Sequence, residues 1–248
     1  MLSRFRIILC GPRIPGNIGS VARAAANFGV RELFLVSPAC NWKSPEAQVR
    51  AVATAGRILH EARIVASLED ALKDVQVAVG FTRRGGRSRD PELFHQVLPE
   101  LAEPLRIALV FGNEETGLTD QELRLCTIAS ELSTDPALPS MNLSHAVAVV
   151  LARLHEEFSG SSNGKTRQPK AALADMSELE GLLAQWREIL SDVGLTTAGN
   201  PERMIGRFRE IFHRAALLPQ DVKLFRGFLS KTKRALRLAR SRPSELSR

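Results

Sequence analysis

Phe5-Arg6-Ile7-Ile8-Leu9-Cys10-Gly11-Pro12-Arg13-Ile14-Pro15-Gly16-Asn17-Ile18-Gly19-Ser20-Val21-Ala22-Arg23 opens on a short apolar run and passes through a Gly/Pro-rich turn into small and apolar residues. Phe5 to Leu9 reads as a buried strand, and Asn17 to Phe28 as a helix closed by Gly29. The alternation then repeats. Leu33 to Val36, Val75 to Val79 and Ile107 to Phe111 are further strand-length apolar runs, and another strand fits Thr127 to Leu132. Between them Pro45 to Leu59, Leu68 to Lys73 and Leu93 to Leu101 carry helical periodicity. Parallel neighbours need crossover connections, so this alternation predicts an α/β domain with a mostly parallel sheet. Asn142 to Phe158 gathers Leu143, Ala146, Val147, Val150, Leu151 and Leu154 on one helical face and ends this domain, which takes residues 1–158.

Residues 159–175 begin with Ser159-Gly160-Ser161-Ser162-Asn163-Gly164, have no periodicity and read as a linker. Beyond it, 176–248 form a helical extension with helices at Met176 to Val193, Pro201 to Ala216 and Pro219 to Arg240, two of them opened by a proline suited to the first turn. The stripe Leu179, Leu182, Leu183, Trp186, Ile189 and Leu190 is more apolar surface than so short a unit is expected to hide alone, so packing on the main domain or on another copy is predicted.

Formal net charge is +7 over 248 residues, and the excess gathers at the end: Lys223, Arg226, Lys231, Lys233, Arg234, Arg237, Arg240, Arg242 and Arg248 face only Asp221 and Glu245. Such an end suits contact with phosphates, and it equally suits a solvated helix. Cys10, Cys40 and Cys126 are far apart and lack ligand spacing, which argues against a disulfide framework or a metal site and for a reducing cytoplasm. No stretch approaches the roughly 20 apolar residues that cross a bilayer. Neither a Walker sequence, a complete Gly-x-Gly-x-x-Gly, a Gly-x-Ser-x-Gly elbow nor His-Glu-x-x-His is present, so the commonest nucleotide-triphosphate, dinucleotide, hydrolase and metalloprotease chemistries lack their loops.

Three segments remain for chemistry. In Gly16 to Arg23, Asn17 can cap a helix whose N–H groups attract anions, with Arg23 a fixed cation further along; a capped helix with a surface arginine fits equally. In Phe111-Gly112-Asn113-Glu114-Glu115-Thr116-Gly117-Leu118 two glycines at a strand end permit close approach of backbone to a ligand, or make an ordinary turn. In Leu138-Pro139-Ser140-Met141-Asn142-Leu143-Ser144-His145-Ala146-Val147 a hydroxyl and an amide stand at a helix entrance, to orient a substrate or to cap the helix.

In this order and at these separations the three segments resemble the signature motifs of the SPOUT RNA methyltransferases, in the SpoU/TrmH branch, over roughly Phe5 to Leu154; the helical extension looks like that of the TrmJ type. The resemblance implies a trefoil knot near the end of the α/β domain and a homodimer whose paired knots form the active site. It implies S-adenosylmethionine as cofactor, held by Phe81, Thr82 and Arg83, by Gly112, and by Leu132, Ser140, Met141 and Asn142, with no metal. It implies 2'-O-methylation of a tRNA ribose, at the cytidine or uridine at position 32 of the anticodon loop. Arg23 would then be the catalytic arginine, serving the neighbouring subunit's cofactor, with Ser140 and Asn142 orienting ribose or cofactor. Asn17, Arg23 and the basic loop residues Arg84, Arg87 and Arg89 would meet RNA.

The third segment departs from the type: Pro136-Ala137-Leu138-Pro139-Ser140-Met141-Asn142 lacks the tyrosine and first serine of a Pro-Glu-Tyr-Ser-Ser-Leu-Asn-like motif, which puts the substrate assignment in doubt. A related methylase acting on rRNA, on another tRNA site or on a base is the rival reading within enzymes. A non-catalytic RNA-binding protein on the same fold is the rival of another class.

Overall fold

The computed structural model describes residues 2–83, 90–103, 105–159, 173–195 and 201–241. The chain divides into two compact units, Met1–Lys170 and Ala171–Arg248. The linker read at 159–175 falls largely on residues 160–172, outside the described residues.

In the first unit β1 (Phe5–Cys10), β2 (Glu32–Val36), β3 (Arg63–Val65), β4 (Val77–Phe81), β5 (Glu92–Leu93), β6 (Ile107–Phe111) and β7 (Ile128–Glu131) form one sheet in the order β3-β2-β1-β6-β4-β7-β5. Every pairing is parallel. All residues of β1 and β6 are buried, as strands covered on both faces by helices must be. Facing them are α1 (Pro15–Asn27), α2 (Pro45–His60), α3 (Leu68–Leu72), α4 (Phe94–Val97), α5 (Asp120–Leu125) and α6 (Leu143–Ser159), with α1 packed on both α2 and α6. The α/β reading holds.

Some boundaries move for physical reasons. The strand read at Val75 to Val79 runs from Val77 to Phe81, because Val75 ends the preceding turn by donating to the Leu72 carbonyl. The helix read at Leu93 to Leu101 is one turn of α4 followed by a 3-10 turn, Leu98–Ala102, since Pro99 has no N–H to continue an α-helix. β3 and β5 carry three and two residues, too few for a period to register.

Arg6 is charged yet only 3% exposed, in the middle of β1. Its guanidinium donates to Glu32 at 2.8 Å, to the Ala71 and Lys73 carbonyls at 2.8 and 3.0 Å and to Asp74, and lies over the Phe34 ring at 4.2 Å. The buried cation is thus fully partnered, and it ties β1, β2 and the turn before β4 together.

The second unit is three helices, α7 (Met176–Asp192), α8 (Pro201–Ala215) and α9 (Pro219–Ser241). An aspartate capping box at Asp175 starts α7. The stripe residues of α7 other than Trp186 are buried, α7 packs on α8 and α9, and Trp186 stacks on Phe208 at 4.5 Å. Phe208 also meets Phe212, which meets Phe225, so an aromatic row joins α7, α8 and α9.

Candidate active site

The sheet order changes direction at β1, whose neighbours are β2 and β6. Connections leaving the carboxyl ends of parallel strands diverge at such a point, and ligands collect there. The segments after β1, β4, β6 and β7 line a cavity of about 630 Å³, a size that fits a cofactor. Phe81, Thr82 and Arg83 enter it from β4, Gly112 from β6, and Leu132 with Ser140, Met141 and Asn142 from the chain after β7. Eight residues singled out in the sequence therefore surround one space.

The β6 loop is made rigid by its own chemistry. Asn113 accepts from the N–H groups of Glu115 and Thr116 at 2.9 and 2.8 Å, and the Gly117 N–H donates to the Asn113 carbonyl at 3.0 Å. Gly117 has a φ of 68°, a conformation glycine takes without strain. Gly112 has no room for a side chain: a Cβ there would fall on the backbone of Gly117 and Leu118.

Asn17 links the three chemical segments. Buried at 7% exposure, it donates through Nδ2 to Glu114 Oε1 at 2.8 Å and accepts at Oδ1 from Asn142 Nδ2 at 3.0 Å. Its expected role as cap of α1 is corrected, because the helix begins earlier, at Pro15, and the residue before it, Ile14, makes no side-chain cap bond. The anion at this helix start is the chain's own: Glu114 accepts from the N–H groups of Arg13 and Ile14 at 3.0 and 3.2 Å. Asn142, in turn, caps α6 by accepting from Ser144 N–H at 2.9 Å and Ser144 Oγ at 2.8 Å. Its amide is thereby committed on both sides. Ser140 differs: among the described residues its exposed hydroxyl has no hydrogen-bond partner, so it is free to meet a ligand.

Burial pushes the Glu114 carboxyl up, but the bonds from Asn17, Arg13, its own backbone and Ile14 outweigh it and hold the group below the ordinary 4.5. A lowered carboxylate contributes stability that is complete above its unfolded value and lost as pH falls through the lower folded one. Glu114→Gln sets an amide donor against the Arg13 N–H, so it is expected to melt below the parent at pH 7. The gap should close as pH falls below the ordinary glutamate range, where the parent loses its charge too. Thermal midpoints from pH 7 to 3 test this; a gap that stays constant contradicts it.

Arg23 is exposed on α1, makes no ion pair among the described residues and does not line the cavity of its own chain. Arg84, Arg87 and Arg89 lie outside the described residues. Cys10 is buried, and burial together with the Glu122 carboxylate pushes its thiol far up, which makes it a poor nucleophile. Among the described residues no three His, Cys, Asp or Glu side chains gather as a metal cage would, and no helix is long and apolar enough to cross a membrane.

The SpoU rRNA Methylase family matches residues 4–152, and the tRNA methyltransferase TrmJ C-terminal domain matches 177–241. The chain belongs to the SpoU methylase family. Among relatives of this SpoU methylase, the tRNA (cytidine/uridine/adenosine-2'-O-)-methyltransferase TrmJ of Pseudomonas aeruginosa (strain UCBPP-PA14) is 32% identical over 250 residues, 96% of each chain. The crystal structure of TrmJ from Z. mobilis ZM4 has the same fold, with a TM-score of 0.77 at 24% identity over 92% of this chain and 98% of that one. AviRb, a SpoU methyltransferase from Streptomyces viridochromogenes in complex with AdoMet, is similar in fold at a TM-score of 0.51, with 22% identity over 64% of this chain and 58% of that one.

Reading the SpoU methylase from sequence alone missed Ile14, Thr134, Pro139 and Ala146 as cavity wall. Pro139 and Ala146 sat within a quoted segment; Ile14 and Thr134 carried no signal beyond following a strand. The Glu114–Asn17–Asn142 chain was equally hidden, its bonds spanning 97 and 125 residues.

Proposed function

We propose that this chain is an S-adenosylmethionine-dependent tRNA 2'-O-ribose methyltransferase, working in the cytoplasm as a homodimer on the cytidine or uridine at position 32. The observation that carries the reading is the succession of a SpoU domain and a TrmJ C-terminal domain along one chain, together with a cavity in the first unit whose walls come from the expected loops.

The walls fit the cofactor. Phe81 and Phe111 stack at 4.7 Å and 7°, an apolar wall for an adenine, and Gly112 lines the cavity beside them. Phe81, Thr82, Arg83, Gly112, Leu132, Met141 and Asn142 would hold it, in a knotted arrangement like that expected of the class. When bound, S-adenosylmethionine supplies a methyl group already activated on a sulfonium sulfur. The chain's task is to hold a ribose 2'-oxygen in line and to ease loss of its proton, because a hydroxyl is almost un-ionised at neutral pH. Ser140, whose hydroxyl is uncommitted, is the group to orient that oxygen; Asn142 acts by fixing the α6 start beside it.

Arg23 then acts on the cavity of the other copy. Ile14, Leu138, Met141 and Val149 are apolar and exposed near the site, at 44, 76, 36 and 38%, and a dimer face in this region would cover them. A guanidinium stays protonated, so it stabilises the developing alkoxide and holds an adjacent phosphate, while water or phosphate takes the proton. Arg84, Arg87 and Arg89 would bind the RNA backbone, and Asn17 supports the site from beneath.

Alkaline hydrolysis of tRNA after treatment with protein and S-adenosylmethionine tests the site of action, since a 2'-O-methyl group protects the phosphodiester that follows it. Protection after nucleotide 32 is expected. Protection elsewhere in tRNA overturns the position, and modification confined to rRNA overturns the substrate.

A further inference from the structure

The second unit holds a cavity of its own, about 420 Å³, between α7 and α9. Its floor is apolar, formed by Ile189 and Leu229, which are 6 and 1% exposed. Lys233, Arg234 and Arg237 line it from α9, one turn apart or less, and Glu188 is the only carboxylate in the wall. Lys233 pairs with Glu188, whose carboxylate also feels the charge of Arg237, while Arg234 makes no ion pair within the described residues. Gln185 also lines it, and its Oε1 is buried with no hydrogen-bond partner among the described residues. Native proteins leave few such atoms unsatisfied. The terminal torsion of a glutamine is soft, so a half-turn presents either its acceptor or its donors to the cavity.

We infer that this cleft is a binding site for a single unpaired RNA nucleotide, its base laid on Ile189 and Leu229 with an edge on the Gln185 amide and its phosphate on Arg234 and Arg237. The inference rests on the proposal that the chain acts on RNA, and adds a second contact point remote in sequence from the methylation loops. Proteins hold splayed-out bases on a flat platform, by hydrogen bonds to the base edge and by arginines at the phosphate; here the aliphatic Ile189 and Leu229, the Gln185 amide, and Arg234 with Arg237 offer that set. The volume suits one nucleotide. Duplex RNA, with its bases stacked and paired, would offer the cleft only backbone.

The test uses the full chain and a tRNA transcript carrying 4-thiouridine, irradiated in the complex, with crosslinked peptides mapped by mass spectrometry. Crosslinks are expected on the peptides containing Gln185–Ile189 and Leu229–Arg237. Ser230→Trp fills the cleft without removing a charge. It should weaken tRNA binding about tenfold, as loss of a single good contact does, with S-adenosylmethionine affinity and melting temperature as in the parent. Replacing Arg234 and Arg237 together by Gln should lower the slope of log Kd against log salt by about 0.7 per lost single-strand phosphate contact. Absence of crosslinks at both peptides in bound tRNA overturns the inference, as does unchanged tRNA affinity in Ser230→Trp. Cytidine 5'-monophosphate binding in the cleft while tRNA affinity stays unchanged in that variant assigns the site to a free nucleotide and also overturns it. Crosslinks and weakened binding without any methyl transfer would sustain the cleft and remove the proposed activity instead.

Discussion

Arg23→Ala is expected to bind S-adenosylmethionine as the parent does and to lose methyl transfer by about 100-fold, the roughly 3 kcal/mol that a single group stabilising a developing oxyanion contributes. The argument is geometric. Arg23 is absent from the wall of its own cavity and makes no ion pair among the described residues, so its removal leaves the cofactor walls and the packing of α1 intact. Calorimetry for the cofactor and single-turnover methylation of tRNA separate the two effects. Weakened cofactor binding would place Arg23 in the cofactor site of its own chain, and parent-like turnover would remove it from the reaction. Service to the other copy predicts one thing more. Mixed dimers of the Arg23→Ala chain with a chain whose cavity is broken should regain activity, because one of their two sites combines an intact cavity with an intact arginine.

Gly112→Ala is the change that breaks the cavity. The added methyl group would overlap the backbone of Gly117 and Leu118, and backbone held by the Asn113 turn cannot yield as a side chain can. Overpacking against yielding neighbours costs about 1–3 kcal/mol, and this site should lie at or above the upper end. The β6 loop must therefore open, which moves Gly112 and Asn113 within the cavity wall. A loss of at least tenfold in S-adenosylmethionine affinity is expected, together with a lower melting temperature. Parent-like affinity would mean that this loop does not hold the cofactor.

The sheet and the major helices were legible because β4 and β6 are uninterrupted apolar runs, β1 is broken only by Arg6, and α6 keeps one apolar face through Leu154. β3 and β5 were not: two or three residues add strand hydrogen bonds at an edge without a period to read. At the site, Gly112 and Ser140 were accessible to sequence reasoning because strand ends and helix entrances with glycine or small polar residues point to a ligand edge, whereas Phe81 was reached only through the family resemblance. The internal logic of the site was not. A local pattern assigns Asn17 to its nearest helix start, whereas the fold uses it to join Glu114 and Asn142 from distant segments. Likewise the cap and the orienting role looked equivalent for Ser140 and Asn142; only the hydrogen bonds separate them, giving the cap to Asn142. The stripe on α7 shows the same limit, since what covers it lies on α8 and α9.

The measurement that bears most directly on the central claim is incubation of the purified protein with methyl-labelled S-adenosylmethionine and tRNA lacking this modification, followed by nucleoside mass spectrometry. The account predicts label in 2'-O-methylcytidine or 2'-O-methyluridine, and its loss in the Arg23→Ala and Gly112→Ala proteins. Label on a base, or none in tRNA while the cofactor is bound, would contradict it.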